Sequence, residues 1–343
     1  MQKIVIERPG GLERLRLLEA GDPRPGPGQV RVSVRAAGVN FADVMVRMGY
    51  YEAAKGLYPL VPGFEFSGII DAVGTGVEKF HPGDRVFGIT RFGGYASSIA
   101  VDARQVWPCP KDWDFPECAA FPAVFLTAYY GLFRAAKVEA GETILVHSAA
   151  GGAGGALLQL ARLAGCRAVA VVGAAHKAAL CEELGAAAVI DRSRQDLWKS
   201  ARTLVPGGFD AIFDANGVST LRAGFNALAP GGRLVVYGFA EIFNKGGPSS
   251  WGRLAYNYLR VPKFSPLDMT GTNRAVMGYN VVYLFHKIEV ARKAMADLLS
   301  WIEEGRIKKV PVTLYPFEQA AQAHRAIQSG ATVGKLALTM PRS

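Results

Sequence analysis

Hydrophobic and polar residues alternate with a period of two through most of the first third of the chain. QVRVSVRAAG, FSGIIDAVG, GDRVFGI and GGYASSIAV each put apolar side chains on one face, and Gly and Pro punctuate the gaps between them. DPRPGPG, just before the first of these runs, is too rich in Pro and Gly to be anything but a turn. The period lengthens to that of a helix in PECAAFPAVFLTAYYGLFRAA, Pro116 to Ala136. From Thr143 onward TILV, RAVAVVG, AAVID, FDAIFDANG, GGRLVVYGF and RAVMGYN read as strands with amphipathic segments between most of them. That rhythm predicts a parallel sheet with helices on both faces. Ala291, Ala294, Leu298 and Ile302 recur at helical spacing and predict a core-packing helix. Two further strands, VPVTLYPF and GKLALTM, flank the helix FEQAAQAHRAIQSG and are expected to return to the β-rich part. The expected fold is α/β, with a β-rich domain over 1–124 that 284–343 rejoins and a doubly wound parallel-sheet domain over 125–283.

The glycine-rich turn in TILVHSAAGGAG carries the first chemical signal. It is a degenerate G-x-G-x-x-G with Ala149, Gly151 and Gly154 in the three marked places, set between a strand and the helix former ALLQLARLAG. Small residues let a pyrophosphate approach the backbone, and the positive end of the helix faces its oxygens. Contacts are therefore expected from Ala150, Gly151, Gly152, Ala153 and Gly154. A fold of this kind that prefers NAD carries an acid after the second strand to bind the ribose 2′-hydroxyl, yet no acid occurs between Gly154 and Glu182. Gly173 and then Lys177 stand there instead, with Arg192 after the third strand. Two cations suit a 2′-phosphate, so NADPH is expected over NADH.

Composition narrows the classes. The chain has 343 residues, half of them hydrophobic and a fifth charged, which is ordinary for a globular enzyme of about two domains. Arg162 and Arg167 interrupt the most apolar region, so no transmembrane helix is expected. MQKIVIERPGG lacks a secretory apolar stretch, and a cytoplasmic location follows as the expectation. The net charge of +10 is scattered; the densest cluster, Arg306, Lys308 and Lys309, has no interleaved aromatics, so nucleic-acid binding is not expected. Cys109, Cys118, Cys166 and Cys181 show no zinc-site spacing and imply no disulfide. The segment Glu241 to Met269 is aromatic and basic and reads most simply as a connecting loop, with a lid, a dimer contact or a lipid-facing patch as alternatives.

The chain resembles the medium-chain dehydrogenase/reductase superfamily over nearly its whole length. GVNFADVMVRMGYY, PGFEFSGIIDAVG, GDRVFG and LTAYYGL are similar to its quinone oxidoreductase branch, and NRAVMGYN with VGKLAL to the vesicle-amine-transport-protein-homologue subgroup. The resemblance implies a GroES-like catalytic domain and a Rossmann domain that holds NADPH. Zinc-dependent relatives carry a Cys near Asn40 and a His-Glu pair where Phe64 and Glu65 stand here, so no metal is expected. Without a Lewis acid, alcohol oxidation is disfavoured and hydride delivery to a quinone or polarised enone is expected, with the acceptor oriented in a water-poor cleft. Asn40, Asp43 and Tyr51 are implied to line that cleft: Asn40 as a donor to an acceptor oxygen, Tyr51 as a donor of a bond or proton, and Asp43 as the residue that fixes the loop. Cofactor contacts are further implied for Thr127, Tyr130, Asn216, Gly238 and Phe239, and Lys335 for a phosphate. Relatives also imply a homodimer through the RAVMGYN edge strand, and the subgroup implies peripheral membrane contact. Two alternatives stand beside this: an enoyl-thioester reductase, and an NADPH-binding regulatory protein without turnover that works at a membrane or on a protein partner, motivated by the basic aromatic segment Trp251 to Phe264. A hydrolase is set aside because His147 and Ser148 lie in no G-x-S-x-G elbow.

Overall fold

In the computed structural model, residues 1–242, 256 and 259–340 are described. Strands β1 (Gln2–Ile6) and β2 (Leu15–Glu19) form a two-stranded sheet of their own. Strand β3 (Gln29–Val39) follows, then α1 (Phe41–Met48), β4 (Glu65–Val73), β5 (Arg85–Ile89), β6 (Ser98–Asp102) and β7 (Val106–Pro108). Helices α2 (Phe115–Ala119) and α3 (Pro122–Tyr129) lead through a π-helical stretch, Tyr130–Ala136, into β8 (Thr143–Val146). Next come α4 (Gly152–Leu163), β9 (Arg167–Val172), α5 (Ala178–Glu183), β10 (Ala188–Asp191), α6 (Leu197–Leu204), β11 (Phe209–Asp214), α7 (Leu221–Asn226) and β12 (Leu228–Val236). The last strands are β13 (Ala275–Gly278), β14 (Val312–Pro316) and β15 (Lys335–Thr339), with long helices at Ile288–Glu303 and Ala320–Ser329.

Two compact units result: 1–124 with 282–305 and 309–343, and 125–281 with 306–308. In the first unit a seven-stranded sheet runs β14-β15-β3-β4-β5-β7, with β6 paired to β3. The alternation in QVRVSVRAAG is visible as alternating burial along β3, whose Val30, Val32 and Val34 enter the core with Phe66, Ile70, Tyr95 and Phe317. The second unit is a six-stranded parallel sheet in the order β10-β9-β8-β11-β12-β13. Its inner strands β8, β9 and β11 are buried on both faces, which is why they read as near-continuous apolar runs such as AVAVV and AIF. The 306–308 piece is tied to this unit by Gln159, whose amide accepts from Lys308 N at 2.7 Å and donates to Lys308 O at 3.2 Å.

The helical stretch Phe115–Ala136 is long and apolar enough to cross a bilayer, but most of it is buried inside the protein, so it is accounted for as core. The expected loop after Glu241 ends in a helix, Pro266–Thr272, opened by Ser265, whose Oγ accepts from Leu267 N at 3.2 Å. Residues 243–255 of that segment, Trp251 among them, lie outside the described residues.

Candidate functional site

In the second unit the chain reverses between β8 and α4 through Ser148 to Gly151. Ser148 takes a left-handed φ of 53°, a costly conformation for a residue with a side chain. Its Oγ donates to Asn216 Oδ1 at 2.8 Å, which clasps the glycine turn to the end of β11. Gly151 caps α4 from an extended conformation. A Cβ on Gly154 would stand 2.4 Å from Ser148 O and 2.6 Å from Ala149 Cα, both backbone, so only glycine allows this turn to pack so closely on its helix. Ala149 and Ala150 are buried beneath it. The first N–H groups of a twelve-residue helix, with no side-chain cap on them, fit a pyrophosphate.

The remaining expected cofactor residues of this unit gather at the same end of the sheet. Gly173 follows β9, and Arg192 N reaches back to Val172 O at 3.0 Å, bringing the guanidinium Nε within 3.8 Å of where a Gly173 Cβ would stand. Lys177 ends the short turn after β9 and is almost wholly buried. Asn216 is held by Asp214, whose Oδ1 accepts from Asn216 N at 2.7 Å and Gly217 N at 2.9 Å. Gly238 lies against Ala215, and Phe239 against Gly217. The Thr127 carbonyl accepts from the Tyr279 hydroxyl at 2.7 Å, and the Tyr130 and Tyr279 rings lie 5.1 Å apart. One carboxylate was not anticipated: Glu241 lies 3.6 Å from Arg192 and accepts from Ser219 N at 3.0 Å. Glu241 and Arg192 are far apart in sequence, and no local pattern announces the pair.

In the first unit Asn40 opens α1. Its backbone N–H donates to Asp43 Oδ2 at 2.8 Å, and Gly63 N donates to Asp43 Oδ1 at 2.9 Å. Asp43 is fully buried, and burial pushes its carboxyl up to about 7 against the pull of those two N–H groups and the Lys335 charge. Its two oxygens tie the start of α1 to Gly63. The Tyr95 hydroxyl lies 3.3 Å from Asp43 and 3.3 Å from Nε2 of His324, whose imidazole is driven down to about 3 by burial. Tyr51 sits edge-on to Phe64 with ring centroids 5.5 Å apart, and Phe64 in turn packs on Phe92. The Asn40 amide donates from Nδ2 to Glu65 Oε1 at 2.7 Å and accepts from Lys335 Nζ at 2.8 Å.

Lys335 corrects an expectation. Read from sequence as a phosphate contact, it stands buried in β15 of the first unit, 2.6 Å from Glu65 Oε1, 2.8 Å from Asn40 Oδ1 and 3.1 Å from Val39 O. Three acceptors use the whole donor capacity of an ammonium, so none is left for a phosphate. Its partner Glu65 also accepts from Ala123 N at 2.8 Å. A Cβ on Gly38 would stand 2.3 Å from Glu65 Oε1, so that glycine makes room for the carboxylate. Among the described residues, no group of three His, Cys, Asp or Glu side chains could hold a metal ion.

A zinc-binding dehydrogenase family model matches residues 184–338, and an alcohol dehydrogenase GroES-like domain model matches residues 26–111. The synaptic vesicle membrane protein VAT-1 homolog of Rattus norvegicus is 35% identical over 341 residues, covering 98% of this chain and 83% of that protein. The chain belongs to the medium-chain dehydrogenase/reductase superfamily, as a VAT-1-like member. The human VAT-1 homolog-like protein superposes on this VAT-1-like chain with a TM-score of 0.85 at 28% identity, covering 100% of this chain and 99% of that one. Escherichia coli quinone oxidoreductase, solved with NADPH, gives 0.85 at 27% identity, covering 99% and 100%. Sequence reading passed over two residues that the medium-chain architecture brings into play. In the sequence Ser148 offers only a hydrolase nucleophile without an elbow, although a serine next to a glycine turn is a turn-former by chemistry. In the sequence Glu65 stands only as a carboxylate without the relatives' histidine beside it, and nothing there marks that Lys335 lies against it.

Proposed function

We propose that this chain is an NADPH-dependent oxidoreductase that reduces a quinone or an α,β-unsaturated carbonyl without zinc. The observation that carries this is the gathering of the Ser148–Gly154 turn, Gly173, Lys177, Arg192, Asn216 and Gly238 at one end of the parallel sheet, where α/β folds bind nucleotides. The amides of Ala150 to Gly154 hold the pyrophosphate, and Lys177 and Arg192 meet the 2′-phosphate. Thr127, Tyr130, Asn216, Gly238 and Phe239 supply the remaining contacts. When bound, NADPH supplies a hydride.

The residues of the first unit then have only to bind and orient the acceptor. Asn40 donates to its oxygen, and Tyr51, set among Phe64 and Phe92, presents an aromatic wall and a hydroxyl. Asp43 holds the loop that carries Asn40. The zinc-free part of the proposal is supported by the donor set: Asn40 is a poor zinc ligand, Phe64 is none, and Glu65 already carries the Lys335 ammonium. Self-association through β13, which ends the six-stranded sheet, belongs to the same proposal and is read by sedimentation.

Calorimetric titration with NADPH and NADH side by side tests the coenzyme. NADPH oxidation against a panel of quinones, enones and enoyl thioesters tests the acceptor. Tighter binding of NADPH and turnover with quinones or enones are expected. Preference for enoyl thioesters would transfer the assignment to that chemistry, and failure of every acceptor would leave a nucleotide-binding protein without turnover.

A further inference from the structure

A buried lysine–glutamate pair is a poor way to gain stability, because the desolvation of both charges offsets their attraction and an apolar pair of similar volume serves as well. Lys335 and Glu65 are nonetheless buried almost completely, at 4% and 0% exposure. What an apolar pair would not do is act on Asn40. The carboxamide lies between the two charges, its oxygen 2.8 Å from the ammonium and its nitrogen 2.7 Å from the carboxylate. Rotating the amide by half a turn would set an NH2 against the ammonium and an oxygen against the carboxylate, both repulsive. One orientation therefore survives. The ammonium draws electron density toward Oδ1, which sharpens Nδ2 as a donor. One Nδ2–H goes to Glu65, and Asn40 is only partly buried.

We propose that Lys335 and Glu65 are positioning residues that lock and polarise the Asn40 carboxamide, leaving its second Nδ2–H as the aimed donor to the oxygen of the acceptor. This rests on the hydride-transfer reading above and deepens it. The acceptor gains a hydride at carbon, and the displaced π electron pair moves onto its oxygen. The coenzyme is oxidised by that loss, and a proton from water completes the reduced product. Asn40 stabilises the oxygen while its charge grows, and a fixed donor aimed at developing charge needs no reorganisation at that moment.

The test compares wild type with Lys335→Met, Glu65→Gln and the double variant Lys335→Met/Glu65→Leu. Removing both charges spares the fold the cost of one unpaired buried charge, so the double variant separates positioning from folding. Three measurements are made: NADPH binding by calorimetry, kcat and KM with the best quinone or enone, and NMR of side-chain-15N-labelled asparagine, with the Asn40 signals identified by their loss in Asn40→Asp. All three variants are expected to bind NADPH within about threefold of wild type. Their kcat falls on the order of 10- to 100-fold with little change in KM. The inequivalent Asn40 NH2 protons collapse toward the positions of a solvated amide. A double variant with wild-type kcat would overturn the proposal, as would Lys335→Met losing NADPH affinity with kcat unchanged. Asn40 signals that do not move in the double variant would overturn it whatever the kinetics. If wild type itself reduces no acceptor, the proposed function fails, and the NMR signals still decide whether the lock exists.

Discussion

His324 and Asp43 titrate in opposite senses across Tyr95, and the pair gives a sharp prediction about stability. Burial holds the His324 imidazole neutral, its value driven from 6.5 to about 3, so its contribution is complete above pH 6.5 and is lost as pH falls through about 3. Burial raises the Asp43 carboxyl from 3.8 to about 7, so its contribution is complete below pH 3.8 and is lost as pH rises through about 7. Between pH 4.5 and 6.5 the folded state therefore binds one proton fewer at His324 and one more at Asp43 than the unfolded chain, and the two slopes cancel. Each is worth about 2 kcal/mol over that window. The other charges near them, Arg47, Glu65 and Lys335, are common to wild type and variant. His324→Leu removes one slope only. The stability difference between wild type and variant should thus widen by about 2 kcal/mol from pH 4.5 to 6.5, with wild type gaining. Native-state hydrogen exchange of the β3 amides reads the opening of this unit alone and avoids a global two-state assumption. A difference that stays constant to within about 1 kcal/mol across the window would refute the assignment of a neutral buried imidazole.

Other outcomes follow from the second unit. Gly154→Ala drives a Cβ into the Ser148 and Ala149 backbone, so it should cost about 1–3 kcal/mol of stability and abolish NADPH uptake in calorimetry. Lys177→Ala and Arg192→Ala should each weaken NADPH by about tenfold while leaving NADH within about twofold; equal losses for both coenzymes would remove these cations from the 2′-phosphate. Glu241→Gln, which releases Arg192 from its carboxylate, should tighten NADPH in the same titration. Ser148→Ala removes the clasp to Asn216 and should weaken either coenzyme by about fivefold, the equivalent of one hydrogen bond of about 1 kcal/mol.

Much of the architecture was legible because its causes are local. The valines of β3 alternate in sequence and in burial, and the apolar runs of β8, β9 and β11 announce a sheet covered on both faces. The turn at Gly151–Gly154 could be placed because small residues between a strand and a helix have few other uses. What escaped is long-range. Lys335 in GKLAL looks like any basic residue at a strand's start; its burial is decided by Glu65 and Asn40, which β15 meets only by pairing with β3. The Glu241–Arg192 contact and the contact of Tyr95 with His324 are likewise made across the fold, between residues that carry no mark of each other. The helix at Pro266–Thr272 has a serine cap and a proline in its first turn, a local signal readable in SPLDM.

The place of β15 has a consequence for biosynthesis. Because it lies between β14 and β3, the seven-stranded sheet, whose strands β3 to β7 are translated early, stays incomplete until residues 335–339 emerge, after every strand of the second unit has been translated. The nascent chain thus carries Glu65 without its counter-charge, next to an unfilled slot along β3, for the longest part of its synthesis. The later-encoded unit can consolidate first, reversing the usual amino-to-carboxyl order of domain folding.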